Sequence, residues 1–177
     1  MMIEHIHRLA AYNAWMNNSV YQAAAELGEE QVQLPRGAFF GSIFGTLHHI
    51  AVADRIWLSR FAEHPAGHAA LEPIRALARP ASLDAVVASD FGALRAHRAE
   101  LDAIISEWAA ELDHEDLVHV LRHANTKGQV FNRQFAGLIM HFFNHQTHHR
   151  GQASTLLSQA GVDIGPTDLL VLVPSID

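Results

Sequence analysis

Apolar residues return along this chain at steps of three and four, the period of an amphipathic helix, in four long stretches. The first spans about Ile3 to Leu27, with Ile6, Leu9, Tyr12 or Asn13, Met16 and Val20 on one face and Gly28 placed to cap its end. The second runs from about Phe40 to Phe61 and aligns Ile43, Leu47, Ile50, Asp54, Trp57, Leu58 and Phe61. Pro65 and Gly67 close it. A connector from His64 to Ala81, broken by Pro65, Gly67, Pro73 and Pro80, is too long for a tight antiparallel turn and long enough to cross a bundle. Ser82 then reads as the cap of a third helix, to about Ala110, through Val86, Phe91, Leu94, Leu101 and Ile105, weakened locally by Gly92.

The period then changes. Leu117-Val118-His119-Val120-Leu121 and Val130-Phe131 alternate around Asn125-Thr126-Lys127-Gly128, which predicts a short hairpin. The fourth helix is expected from about Asn132 to Gln159, ending at Gly161. The tail, Val162 to Asp177, carries an apolar run from Leu169 to Val173 that is expected to pack along the helices or to serve a partner. No internal repeat is present. These elements predict one all-α domain over residues 1–177: a four-helix bundle with a long crossover between helices two and three and a short β-hairpin before helix four.

Composition narrows the chemistry. A chain of 177 residues fits one domain with a substantial core, and 49% hydrophobic residues with only 11 Gly and 6 Pro suit a compact helical globule. There is no cysteine, hence no disulfide, thiolate ligand or cysteine nucleophile. Net charge is −7 and Lys and Arg nowhere cluster, which argues against a nucleic-acid partner. The N-terminal stretch lacks a signal-like apolar region and no long apolar run follows, so the expected location is the cytoplasm, away from membranes.

Histidine is the anomaly: 14 copies against 12 of Lys and Arg together, dispersed rather than in a tag. In the fourth helix Phe135, Leu138, Phe142, His145, His149, Gln152 and Leu156 share one face, so two imidazoles one turn apart occupy a seam where Leu or Phe belongs. His141 and His148 lie at its edge, where a histidine reaches water. Buried imidazoles need partners for both ring nitrogens, and the i, i+4 spacing lets two rings converge on one ion. For a third ligand the second helix offers His48-His49. His49, among Gly45, Thr46, Val52, Ala53 and Ile56, is better placed than His48, whose side of the helix carries Arg55 and Ser59. The competing reading is two surface histidines, because both lie off the main apolar stripe.

Asp54, on a buried stripe, would either orient a ligand imidazole or pair with an arginine such as Arg150. Three neutral histidines with an open position are the layout of a catalytic metal site. Gln146 stands where HExxH enzymes place their glutamate base, which removes the metalloprotease reading. His148, His48 and Tyr12 are candidate proton carriers, each with a plain surface or packing role as its alternative, and the catalytic residues stay unassigned.

Tyr12-Asn13-Ala14-Trp15-Met16-Asn17, Gly41 to Ile50 through Asp54-Arg55-Ile56-Trp57-Leu58, Asn125 to Gly128, Phe143 to Gln152 and Asp168-Leu169-Leu170 together resemble the DinB family of DNA-damage-inducible proteins, nearly end to end. The resemblance implies an up-down-down-up bundle and a three-histidine site for a divalent metal, zinc or nickel. Motif by motif it places the ligands at His49, His145 and His149. It further implies a metal-dependent transferase or isomerase using a low-molecular-weight thiol, a small-molecule substrate and a homodimer, the last also suggested by the apolar tail. Transfer to, or hydrolysis of, a small electrophile is therefore one expectation. The other is a non-catalytic metal-binding stress-response protein whose ion is structural.

Overall fold

The computed structural model describes residues 2–176; Met1 and Asp177, the two ends of the expected domain, lie outside the described residues. In chain order the elements are α1 (Met2–Leu27), α2 (Glu29–Gln33), α3 (Ile43–Phe61), α4 (Glu72–Arg75), α5 (Phe91–Glu111), α6 (His114–Val118), β1 (Val120–Ala124), β2 (Val130–Gln134) and α7 (Phe135–Gln159). Short 3-10 turns occupy Ala69–Leu71 and Leu169–Leu172. The protein is thus mostly helical with one small antiparallel hairpin, in which Val120 pairs with Gln134 and Ala124 with Val130.

The long helices pack α1 against α5 and α7, and α3 against α7 and α5. Their shared core contains Val20, Leu47, Leu58, Phe61, Leu94, Ile105, Trp108, Phe135 and Phe142. Burial of such side chains contributes about 1.5–3 kcal/mol each and dominates the stability of the fold.

Several boundaries differ from the periodic reading, and local hydrogen bonds explain them. Gly28, at φ 79°, ends α1 as expected, but the chain turns directly into α2, which the sequence reading lacked. Helix α3 starts at Ile43 rather than Phe40, because the Ser42 side chain caps it by accepting from Gly45 N–H. The third long helix starts at Phe91 and not at Ser82: Asp90 accepts from Ala93 N–H at 2.7 Å, and Val86 is left 81% exposed in the crossover. Asp113 and Asp116 form a capping box that draws Leu117 and Val118 into α6, so the hairpin begins only at Val120. At its other end β2 retains Asn132, and α7 begins at Phe135.

A polar clamp joins the four long helices. Arg98 of α5 sits between Asp54 of α3 at 2.5 Å and Asp102 of its own helix at 3.0 Å. Asp102 accepts from Asn13 and Asn17 of α1, whose side-chain oxygens in turn accept from Arg150 of α7. Asn13, Asn17, Asp54, Arg98 and Arg150 are each at most 4% exposed. Breaking such a set by removing one charge is far more costly than its net contribution suggests. Burial, opposed by Arg98, pushes the Asp54 carboxyl up to about 6.

The tail packs Val162 and Ile164 against the core, and further on the Leu169–Leu172 turn lies against α1 while the Tyr12 hydroxyl donates to the Thr167 carbonyl at 2.6 Å. Leu170 and Val171 are nevertheless 74% and 60% exposed. Among the described residues no helix is long and apolar enough to cross a membrane.

Candidate metal centre

Helix α7 delivers its histidines through its rotation about its own axis, and Arg150 helps to set that rotation. Locked into the clamp toward α1, Arg150 turns the preceding residue, His149, toward α3 about 100° away around the helix. His145, one turn earlier, points the same way. His49 meets them from α3, so that one ligand atom from each of the three side chains lies within 4.8 Å of the other two. The ring centroids of His49 stand 5.4 Å from His145 and 4.6 Å from His149.

The His149 Nδ1–H donates to Gln152 Oε1 at 2.8 Å, which fixes the tautomer and leaves Nε2 bare. That atom faces His145 Nε2 at 3.1 Å. Two ligands about 2.0 Å from a tetrahedral ion stand roughly 3.3 Å apart, so the pair has the spacing an ion needs. His49 is pushed down to about 4 and His145 to about 3, in both cases first by burial and then by neighbouring histidines. Burial also lowers His149, against the opposing hydrogen bond to Gln152. The three rings are therefore uncharged near neutrality, the form in which an imidazole offers a lone pair to a metal. The residues present could hold a divalent ion.

The cluster opens on a cavity of about 630 Å³ whose other walls include Phe39, Phe40, His48, Leu83 and Asp84. Phe40 stacks on His49 with ring centroids 4.0 Å apart and meets His149 edge-on at 5.3 Å. It is held there by the absence of a side chain at Gly45, where a Cβ would stand 2.1 Å from the Phe40 carbonyl oxygen.

The expected seam needs one correction. Phe135, Leu138, Phe142 and Leu156 are buried, but His145, His149 and Gln152 between them are only half-buried, because the stripe leaves the core where the cavity opens. The polar residues of this stretch that do face inward are Gln146 and Arg150, at 0% and 4% exposure. Gln146 faces the core rather than the cavity, and neither of its amide atoms has a partner. His141 and His148 are exposed, as their edge positions predict.

His49 is 8% exposed and on the cluster, whereas His48 lies beside it on the cavity wall with Nε2 accepting from Val87 N–H at 3.1 Å. The surface reading of His49 fails because α3 packs against two long helices and so buries residues well outside its main stripe. Asp54 orients no ligand; its partner is Arg98, and Arg150 binds Asn13 and Asn17 instead. Tyr12 is engaged with the tail, away from the cavity wall. The periodic reading placed Phe40, Leu83 and Asp84 in the first turns of helices, whereas they lie in loops that line the cavity; the glycine at position 45 was the available sign of a close approach.

The DinB family model matches residues 2–174. The chain belongs to the DinB family. It is similar to "Protein DinB" of Bacillus subtilis (strain 168), with 25% identity over 169 residues that cover 94% of this chain and 92% of that protein. No solved structure matches it.

Proposed function

We propose that this member of the DinB family is a divalent-metal-dependent enzyme in which His49, His145 and His149 hold zinc or nickel and a small electrophile reacts in the adjoining cavity. The observation that carries the reading is the conjunction of three neutral imidazoles with an open, largely aromatic cavity on their exposed side. A structural ion is closed off by its protein ligands, whereas an ion with catalytic use keeps a position free. When bound, the ion would lower the pKa of a coordinated thiol or water and so supply the nucleophile for transfer, isomerisation or hydrolysis.

The chain's own residues define the rest. Phe39, Phe40 and Leu83 exclude water from one side of the cavity and favour an apolar substrate. Gln152 holds the His149 ring and its tautomer. His48, one nitrogen of which holds the crossover through Val87, is the titratable side chain closest in sequence to a ligand on the cavity wall and is the proton carrier of choice. The frame is read as the up-down-down-up four-helix bundle that the resemblance implies, with the exposed Leu170, Val171 and Val173 as the face for a second copy of the chain in a homodimer. The proposed setting is the cytoplasm, where low-molecular-weight thiols are abundant. The non-catalytic alternative requires a fourth protein ligand at this centre, and no further His, Asp or Glu joins the group among the described residues.

Elemental analysis of protein purified without a nickel column tests the ligands: His145→Ala should lose one ion per chain, and unchanged stoichiometry sinks the assignment. Consumption of a model electrophile with each of several small thiols tests the chemistry. Rates that do not fall when the metal is removed count against it.

A further inference from the structure

A second histidine cluster lies outside the cavity. His64 follows the end of α3, His68 precedes the Ala69–Leu71 turn, and Asp116 stands in the first turn of α6; one ligand atom of each lies within 4.8 Å of the others. Their exposures are 5%, 6% and 6%. We propose that His64, His68 and Asp116 form a second divalent-cation site, one that staples the crossover segment to α6. The proposal does not depend on the reading of the first centre.

The spacing is that of a coordination shell. Asp116 Oδ2 lies 3.0 Å from His68 Nε2, and Oδ1 lies 3.7 Å from His64 Nδ1, which brackets the roughly 3.3 Å between neighbouring ligands of a tetrahedral ion. The His64 Nδ1 accepts from Ala66 N–H at 3.2 Å, so that nitrogen is unprotonated, the state in which imidazole ligates; ligation replaces this long bond. Asp113 N–H donates to Asp116 Oδ2 at 3.0 Å and orients the carboxylate from behind, as supporting residues do around ligand carboxylates.

A carboxylate and two imidazoles are buried together here, with Phe135 4.5 Å from the His64 ring, and a cation held between their facing atoms would compensate the buried negative charge. Two imidazoles and one carboxylate suit a borderline cation such as zinc rather than calcium or magnesium, which prefer all-oxygen shells. The three side chains leave a fourth position to a water or backbone oxygen, and because all three are buried that position faces no substrate, so the ion's role is structural. It acts where help is needed, since the crossover between α3 and α5 contains only the Ala69–Leu71 turn and α4.

The test is metal stoichiometry on the full chain, stripped, reloaded with zinc and passed through an equimolar chelator to remove loosely held ions. Wild type should retain two ions per chain, and the variant His145→Ala with His149→Ala one. Adding Asp116→Asn or, separately, His68→Ala to that variant should take retention to zero and abolish the rise in melting temperature that zinc gives it. One ion in wild type and none in the His145→Ala, His149→Ala variant overturns the proposal. So does an ion that survives both Asp116→Asn and His68→Ala, because other histidines then hold it.

Discussion

The two histidine clusters are built from opposite materials. His49, His145 and His149 sit on two long helices, offer nitrogen alone and face a cavity of about 630 Å³, with two of the three rings half-buried. His64, His68 and Asp116 sit on connectors and a five-residue helix, include a carboxylate, and are each at least nine-tenths buried. Long helices, locked by packing and the Arg98 clamp, can hold ligands in place while leaving a position open. Short segments have no such support, and there a buried ion can supply the rigidity. Position in the fold therefore separates a centre suited to chemistry from one suited to stapling.

The comparison breaks hardest at the clamp. Arg98→Met leaves Asp54 and Asp102 buried without their cation, and should lower the stability of the fold by about 3–5 kcal/mol in urea unfolding. Retention of zinc by the variant's folded fraction should suffer at the cluster of His145 and His149, whose orientation the clamp sets, and not at His68. Equal loss at both would show that the clamp acts only through global stability.

A smaller effect is expected at Gln152. Gln152→Ala frees the His149 ring, and the affinity of that centre for zinc should drop by roughly 10–100-fold, the usual cost of losing a residue that orients a metal ligand. Calorimetric titration of the variant combined with Asp116→Asn isolates the centre; an unaltered affinity would show that packing alone orients His149.

The pH dependence of the metal-free protein tests the same rings. His49 and His145 titrate near 4 and 3 in the folded chain, against about 6.5 for an unfolded imidazole. As pH falls, the unfolded chain takes up protons first, so the stability linked to these groups is complete above about pH 6.5 and is lost progressively down to about pH 4 for His49 and about pH 3 for His145. The urea midpoint should fall between pH 7 and pH 5, and fall less in His145→Ala. An equal drop in both would falsify the assignment of the effect to His145.

Much of the frame was legible because buried faces repeat every three or four residues: α1 and α7 end where their periods and terminal glycines predict. Helix starts were harder. Ser82 and Asp90 both have capping chemistry, and only the chain's path shows that Asp90 accepts from a helical amide while Val86 faces solvent. The histidine pair stood out for breaking a period, and His49 was chosen over His48 by the small, uncharged residues around it.

By itself the sequence determined the helical class, the presence of the hairpin and, through spacing on one helix, that His145 and His149 share a face. Period reports direction around a single helix axis and carries no information about what lies opposite. Only the tertiary structure decided that the seam opens into a cavity, that Asp54 pairs with Arg98, and that His64, His68 and Asp116 meet. Those groups are brought together by packing between segments far apart in the chain, and no local pattern records such contacts.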